Sequence, residues 1–422
     1  MTAIERAGPD PARRRRPIAT RLVALLAVLG PGLLAGLSDD DPAGITTYSV
    51  LGASYGYQLL WVLLVATVAL VVFHSLGARM GVVTGQGLVG LVRQREGVRV
   101  AALATGALVV ANIGTTAAEF AGIAAGAELL GVSRSISVPV AAVTVAALVL
   151  RGSFHRIEHV LLALSAVFLA YVVSGVLANP SWGDAVTGLV VPTMPLDRDA
   201  VLIATATIGT TLAPWGLSFI QSYAVDKRLT ADDLPLERVD VVTGAALTGV
   251  IGFFVVVACA ATLHQRGVTI VDAADAAQAL EPLAGAVAGR LFGVGLLGAA
   301  LLAASVLPLS TAYSVCEFVG SEGALDDRFA EARTFYLSYV VTVVIGAAIV
   351  LIPGVPLVTI LVGTQVLNAI FLLPLLVAMH RISRDPSIMG DHVATRRSGV
   401  VHLVTISLIA LCLVALLVAT VS

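Results

Sequence analysis

A long apolar segment near the N-terminus is interrupted by Ser38-Asp-Asp-Asp-Pro-Ala-Gly44, and this interruption constrains the fold more than any other feature. Three carboxylates inside a hydrophobic segment are very costly unless a cation or water meets them there. The proline and glycine beside them free backbone amides and carbonyls at the same place. A second apolar segment breaks about 170 residues later, at Gly209-Thr-Thr-Leu-Ala-Pro-Trp-Gly216. Paired broken helices favour a cation site near the middle of a membrane transporter.

The composition supports a membrane protein. Hydrophobic residues make up 58% of the 422 residues and charged residues only 12%, with a mean hydropathy of +0.96. A soluble domain with this balance could not cover its surface with polar groups. The net charge of -2 argues against nucleic acid as a partner, and the three cysteines lie in apolar stretches, which argues against a disulfide framework. We therefore expect a bilayer-embedded protein that is not an enzyme and carries no cofactor.

The apolar stretches predict eleven membrane spans, numbered here in chain order. Their approximate bounds are 20–53, 56–77, 100–130, 135–151, 157–178, 198–225, 240–263, 286–319, 334–352, 355–380 and 398–421. The breaks fall in spans 1 and 6, which predicts two five-span repeats, the second inserted upside down. The predicted organisation is a basic cytosolic tail (1–19), a first repeat (20–178), an inverted second repeat (198–380) and an extra C-terminal helix (398–422).

The basic residues predict the orientation of these spans. With the N-terminus in the cytosol and alternating loops, 21 of the 25 Lys and Arg residues fall on the cytosolic side. Those on the other side are Arg134, Arg198, Arg266 and Arg290. Such segregation is typical of a multi-pass protein of the plasma (inner) membrane, and it places the C-terminus outside.

The first break predicts a site for a hard cation. Asp41 immediately precedes the proline, where the helix must open, and is the strongest candidate ligand. Asp40 is the next candidate, whereas Asp39 is expected to be a solvated mouth residue or a helix cap. Carboxylates, hydroxyls and freed carbonyls are oxygen ligands, which suit Mg²⁺, Ca²⁺ or Mn²⁺.

The second break adds oxygen atoms but no soft ligand. Thr210 and Thr211 offer carbonyls and hydroxyls, while Ala213 has no side-chain ligand. Trp215 is expected either to wall or gate the site or to pack among helices. Neither break contains Met, Cys or His, which argues against a soft-metal site.

Other polar residues inside the spans each allow two interpretations. Glu119 in span 3 could act in a proton path or in gating, or could partner a helix end. Gln365 and Asn368 share a face of span 10 and could complete the cation shell or bond across helices. His74 is expected at the membrane interface, at the end of span 2, and Glu317 is expected to be a gate or a surface charge.

These motifs together resemble the Nramp family of divalent-metal transporters over the whole membrane domain. The shared motifs are Gly30-Pro-Gly32, Asp41-Pro42, Arg79-Met-Gly-Val-Val-Thr-Gly85, Ala118-Glu-Phe120, Gly209 to Pro214, and Gln365. The resemblance implies a LeuT-like fold and divalent-metal uptake by alternating access. It implies a metal-ligand role for Asp41, carbonyl ligands at Ser38 and Thr210, a polar contribution from Gln365 and a proton path at Glu119.

The chain departs from the usual family pattern at three positions near the breaks. Gly44 stands where typical members carry Asn, Ala213 where they carry Met, and Trp215 where they carry His. Span 9 lacks the arginine that typical members use for protons. Loss of the thioether removes a soft ligand, and smaller residues leave room for the water that Mg²⁺ retains. This pattern looks like the Nramp-related magnesium-transporter branch and implies Mg²⁺ as substrate, with Mn²⁺ second, and transport without protons.

Alternative functions remain open at this stage. The chain could be an ordinary proton-coupled Mn²⁺/Fe²⁺ importer of the Nramp type. An organic-substrate symporter on the same fold is disfavoured by three adjacent aspartates, which would repel an anion. A membrane-embedded metal hydrolase would need His partners that the breaks lack, and a channel is less consistent with inverted broken helices. We expect divalent ions and the lipid bilayer as partners, and no obligate protein partner.

Overall fold

The computed structural model describes residues 35–36, 38–150, 169–195, 197–271, 273–321, 323, 325 and 327–421. All regular structure in these ranges is helical. The first helices are α1 (Pro42–Tyr55), α2 (Leu60–Thr84), α3 (Leu88–Glu96), α4 (Val98–Leu129), α5 (Arg134–Leu150), α6 (Leu169–Leu177) and α7 (Trp182–Val190). The later long helices are α8 (Arg198–Thr211), α9 (Pro214–Asp226), α10 (Leu234–Cys259), α11 (Ala288–Val319), α12 (Arg333–Val350), α13 (Leu357–Ser383) and α14 (Arg396–Val421), with short helical turns between some of them.

Several of these helices are long and apolar enough to cross a bilayer. Eight such stretches occur in the described part of the chain, and α5 is a shorter apolar helix. They are Leu60–Thr84, Val98–Leu129, Arg198–Asp226, Ala231–His264, Ala273–Val319, Arg333–Val350, Leu357–Ser383 and Arg396–Val418. They match predicted spans 2, 3 and 6–11, while most of span 5, the first half of span 1 and the basic tail lie outside the described residues.

Polar contacts near the helix ends show which of these ends lie together. At one end Arg95 bonds to the Arg381 carbonyl (2.6 Å) and pairs with Asp385 (2.8 Å). At the opposite end the Tyr55 hydroxyl donates to Asp197 (3.0 Å) and Arg134 donates to the Val355 carbonyl. The first end, which contains Arg95 and Arg381, is called the Arg-rich end below.

The helices approach closely where their residues are small. The Thr248 hydroxyl on α10 donates to the Gly36 carbonyl (2.6 Å). A Cβ on Gly52 of α1 would lie 2.5 Å from the Val256 carbonyl of α10. Such contacts are typical of membrane helices, which associate through close packing and hydrogen bonds because lipid gives no hydrophobic driving force between them. They hold α1, and with it the first break, against α10.

Candidate metal site

The first break is narrower than predicted. Residues 38–39 are helical, Asp40 and Asp41 form a bend, and α1 begins at Pro42, so Gly44 lies inside the helix. Asp41 caps α1, because its Oδ1 accepts a hydrogen bond from the Gly44 amide (2.5 Å). Pro42 has no N–H, which leaves the carbonyl of Ser38, four residues earlier, without a helical donor.

The second break obeys the same rule and is also narrower than predicted. It comprises Leu212 and Ala213, between the end of α8 and the start of α9 at Pro214. Because Pro214 lacks an N–H, the carbonyl of Thr210 has no helical donor. The Thr211 hydroxyl is already engaged, since it donates to the Thr207 carbonyl (2.7 Å) and lies 2.8 Å from the Tyr48 hydroxyl. Thr211 therefore ties α8 to α1, and its neighbour Thr210 supplies the available oxygen atoms.

The two breaks meet at Gly44. A Cβ built on this glycine would lie 3.3 Å from Asp41 Oδ1 and 3.3 Å from the Thr210 hydroxyl. That hydroxyl has no hydrogen-bond partner, and both side chains are buried. A carboxylate oxygen and a hydroxyl from separate helices thus border the space of one methyl group. This arrangement brings Asp41, Thr210 and Gly44 together, three residues that the sequence analysis named for the site.

Negative charge accumulates around this point. Asp39 and Asp40 are buried, and none of their carboxylate oxygens has a hydrogen-bond partner. Glu119 is fully buried on α4, and its carboxyl faces that of Asp41. One turn further along α4, Gly122 packs against the Pro42 ring. Among the described residues, none of these carboxylates forms an ion pair. They can be charged together only if a cation neutralises them.

Gln365 and Asn368 lie beside the second break. A Cβ on Gly209 would collide with the Gln365 carbonyl, so α8 and α13 touch at this point. Asn368 donates to Gln365 Oε1 (2.9 Å) and to the Thr115 hydroxyl (3.0 Å). The pair therefore bonds across helices to α4, and its amides reach an ion only if these bonds rearrange.

Ala213, in the second break, and Trp215, just after it, have apolar surroundings. Ala213 and Trp215 are buried and belong to one apolar cluster. The Trp215 ring packs on Phe219, with centroids 6.1 Å apart, and its carbonyl accepts a hydrogen bond from Ser310 (2.9 Å). Of the two interpretations expected for Trp215, the structure therefore favours packing among helices.

His74 is a residue of this region that sequence reasoning missed. The expectation of an interfacial position was wrong, because α2 extends to Thr84 and the ring is 1% exposed. His74 Nε2 has no hydrogen-bond partner and would lie 3.1 Å from a Cβ on Gly216. Asp39 Oδ1 lies 3.8 Å from the same point. Arg79 suggested that span 2 ended near residue 77, but the apolar Val82 and Val83 beyond it could have shown that the span continues.

Glu317 was expected to be a gate or a surface charge, and the structure removes the second interpretation. Its carboxylate accepts hydrogen bonds from the amides of Val89 (3.0 Å) and Gly90 (3.3 Å) and from the Ser222 hydroxyl (2.5 Å). It therefore joins α11, α3 and α9 at the Arg-rich end. A cavity of about 600 Å³ lies beside it, and a second of about 400 Å³ at the opposite end reaches Thr46.

Comparison with known proteins assigns the chain to a family. The sequence profile described as "Natural resistance-associated macrophage protein-like" (Nramp) matches residues 32–419. The Divalent metal cation transporter MntH of Burkholderia ambifaria is 33% identical over 66% of this chain and 65% of its own length. The protein of the same name from Klebsiella pneumoniae subsp. pneumoniae is 30% identical over 88% of this chain and 89% of its own.

Solved structures agree on the fold. The manganese transporter of Eremococcus coleocola superposes with a TM-score of 0.75 at 19% identity, covering 94% of this chain and 87% of that one. A transporter of the nucleobase-cation-symport-1 family gives a TM-score of 0.55 at 16% identity, covering 93% and 92%. The predicted all-helical, LeuT-like fold is confirmed, and the chain belongs to the Nramp family.

Proposed function

We propose that this protein imports divalent cations across the plasma membrane by alternating access, with Mg²⁺ as the main ion and Mn²⁺ as the second. The observation that supports this most directly is the set of oxygen atoms around Gly44: Asp41 Oδ1, the Thr210 hydroxyl and the Asp39 carbonyl. Oxygen-only ligation suits hard ions, and Mg²⁺ in particular. Ala213 contributes no sulfur, so nothing at that position favours softer metals.

The contacts at the two ends of the helix bundle support alternating access. Glu317 and its donors hold the Arg-rich end, and Tyr55 with Asp197 links the two broken helices at the other end. We place the Arg-rich end in the cytosol because basic residues concentrate there. An ion released from the buried carboxylates requires one set of these contacts to open while the other stays closed.

The membrane potential is sufficient to drive this uptake. Moving one charge across 100 mV contributes about 2.3 kcal/mol, so a divalent ion gains about 4.6 kcal/mol. That energy supports a roughly thousand-fold gradient without any coupled ion. Predicted span 9, which forms α12, carries no charged residue after Arg333. We therefore propose transport without proton coupling.

A second candidate function is supported by two specific contacts. Glu119 faces Asp41, and the His74 imidazole lies near Asp39. A carboxyl and an imidazole beside the site could carry protons, and imidazole is a good ligand for transition metals. These contacts favour proton-coupled Mn²⁺ import of the kind that the names of the manganese-transporting relatives suggest.

Liposome transport separates the two functions. The protein would be reconstituted with a Mg²⁺-sensitive dye or a pH dye inside, and Mg²⁺ or Mn²⁺ added outside under an inward-negative potential. Mg²⁺ entry without acidification supports the first proposal. Mn²⁺ entry with acidification, and no Mg²⁺ response, supports the second and refutes the first.

The site itself is tested by substitution. Asp41→Ala should abolish uptake of either ion while the protein still inserts, because it removes the carboxylate that borders the space at Gly44. Asp184→Ala removes an exposed acid on α7 and serves as the control. Uptake by Asp41→Ala at the wild-type rate would contradict the assignment of the site.

A further inference from the structure

A cleft outside the metal site lies between α2, α10 and α14 at the Arg-rich end. It encloses a cavity of about 490 Å³. Its upper part is lined by valines, among them Val242 and Val401, which are 39% and 43% exposed. Exposed apolar side chains on the flank of a membrane-spanning bundle face lipid. The cleft therefore opens sideways into the bilayer.

The lower part of the cleft holds a buried carboxyl group and a half-buried guanidinium group that do not pair with each other. Glu237 is 1% exposed, and neither of its carboxylate oxygens has a hydrogen-bond partner. Arg79 is half-buried, and its Nε atom is buried without a partner. Both side chains line the cavity. A buried charge left without a partner is strongly destabilising, so the Glu237 carboxylate calls for a ligand that donates hydrogen bonds, and Arg79 is placed to bind a negative group of the same ligand.

The remaining polar groups of the cleft set its overall charge. Arg238 lies exposed at the mouth, and His402 Nε2 is 3.2 Å from the Ser398 hydroxyl. His402 Nδ1 has no partner. The cleft therefore combines a cationic side (Arg79, Arg238) with a single carboxylate, under an apolar wall.

We propose that this cleft binds phosphatidylethanolamine from the leaflet at the Arg-rich end. The lipid phosphate would bond to Arg79 and Arg238, its primary ammonium would donate to Glu237, and an acyl chain would lie along the valines. This headgroup carries both charges on one short linker, so it can pair with Glu237 and Arg79 at once. Phosphatidylglycerol offers Glu237 only neutral hydroxyl donors, and phosphatidylcholine has no N–H to offer.

Native mass spectrometry of the detergent-purified full chain tests the proposal. The protein would be mixed with equal amounts of phosphatidylethanolamine, its N,N-dimethyl derivative and phosphatidylcholine, which keep the phosphate and remove N–H donors stepwise. A second mixture would hold equal amounts of phosphatidylethanolamine and phosphatidylglycerol. Hydrogen bonds to a charged group predict a preference for phosphatidylethanolamine over phosphatidylcholine of roughly tenfold or more. Equal retention of the two lipids, or stronger retention of phosphatidylglycerol than of phosphatidylethanolamine, would overturn the proposal.

Three variants locate the binding. Glu237→Gln should abolish the preference for phosphatidylethanolamine, and Arg79→Gln should weaken retention of all these phospholipids. Val242→Trp leaves both charges in place and fills the cleft, so it should reduce retention even if the charge variants fold poorly. Arg99→Gln, at an exposed position of the same end, is the matched control and should behave like wild type. An undiminished preference in both Glu237→Gln and Val242→Trp would place the lipid elsewhere.

Discussion

Gly44→Ala is the substitution that tests the assembled metal site most directly. The added Cβ would lie 2.8 Å from the Asp39 carbonyl, which is backbone and cannot rotate away. Ordinary carbon–oxygen contacts begin near 3.3 Å, so the break must open by about 0.5 Å. The same methyl would lie 3.3 Å from Asp41 Oδ1 and from the Thr210 hydroxyl, in the space that the proposed ion would use.

The magnitude follows from the cost of overpacking a close-packed site. One inserted methyl costs typically about 1–3 kcal/mol. If this cost falls on ion binding, affinity should drop roughly 5- to 150-fold. In an open helix position the same change would stabilise by up to about 1 kcal/mol, because alanine favours helix over glycine. A loss of ion affinity in Gly44→Ala would therefore show that the added methyl group meets the contacts at the break, whereas stabilisation would show an open helix position.

The assay is Mn²⁺ uptake into liposomes over a range of concentrations, together with thermal melting with and without Mn²⁺. Gly44→Ala should raise KM by the stated factor and reduce the increase in Tm that the ion produces. Gly106→Ala on α4 is the control, since a Cβ there meets nothing within 4 Å. A KM for Gly44→Ala within twofold of wild type would refute the site geometry.

Three further substitutions have defined outcomes. Ala213→Met should strengthen inhibition by Cd²⁺ relative to Mg²⁺ in competition uptake, because it restores a soft ligand; unchanged selectivity would mean that position 213 does not face the ion. Glu317→Gln should speed hydrogen exchange in α3, since an amide cannot accept from both helix amides and Ser222 as the carboxylate does; unchanged exchange would argue against that contact. Asp197→Ala should lower Tm, with Asp199→Ala as the control, because Asp197 caps α8 through the Ala200 amide. That hydrogen bond holds the pKa of Asp197 below its usual value, so the stabilisation should be present at neutral pH and disappear as pH falls through the lowered value.

Sequence reasoning succeeded where the physics is local. A proline removes one amide, and the carbonyl it orphans is always four residues earlier. By this rule Pro42 and Pro214 leave the carbonyls of Ser38 and Thr210 without a helical donor. Hydropathy likewise located most spans.

Sequence reasoning failed where a residue's surroundings come from distant segments. His74 sits on a helix that is apolar on nearly all sides, so its own span gives no sign of the face that meets Gly216 and Asp39. Glu317 lies at the end of predicted span 8. Its hydrogen-bond partners, however, come from α3 and α9, more than 90 residues away in the chain.

The sequence by itself determined that this chain is a membrane-embedded helical protein with two proline-opened breaks and a cluster of carboxylates at one of them. These properties depend on side-chain transfer energies and on hydrogen bonds between residues four apart. Only the tertiary structure decided that Thr210 meets Asp41 across Gly44, that Glu119 faces the same carboxylate, and that Glu237 and Arg79 share a cleft. These contacts between helices depend on how the packed helices are rotated and aligned. Small residues such as Gly52 and Gly209 set that alignment by allowing helix backbones to touch.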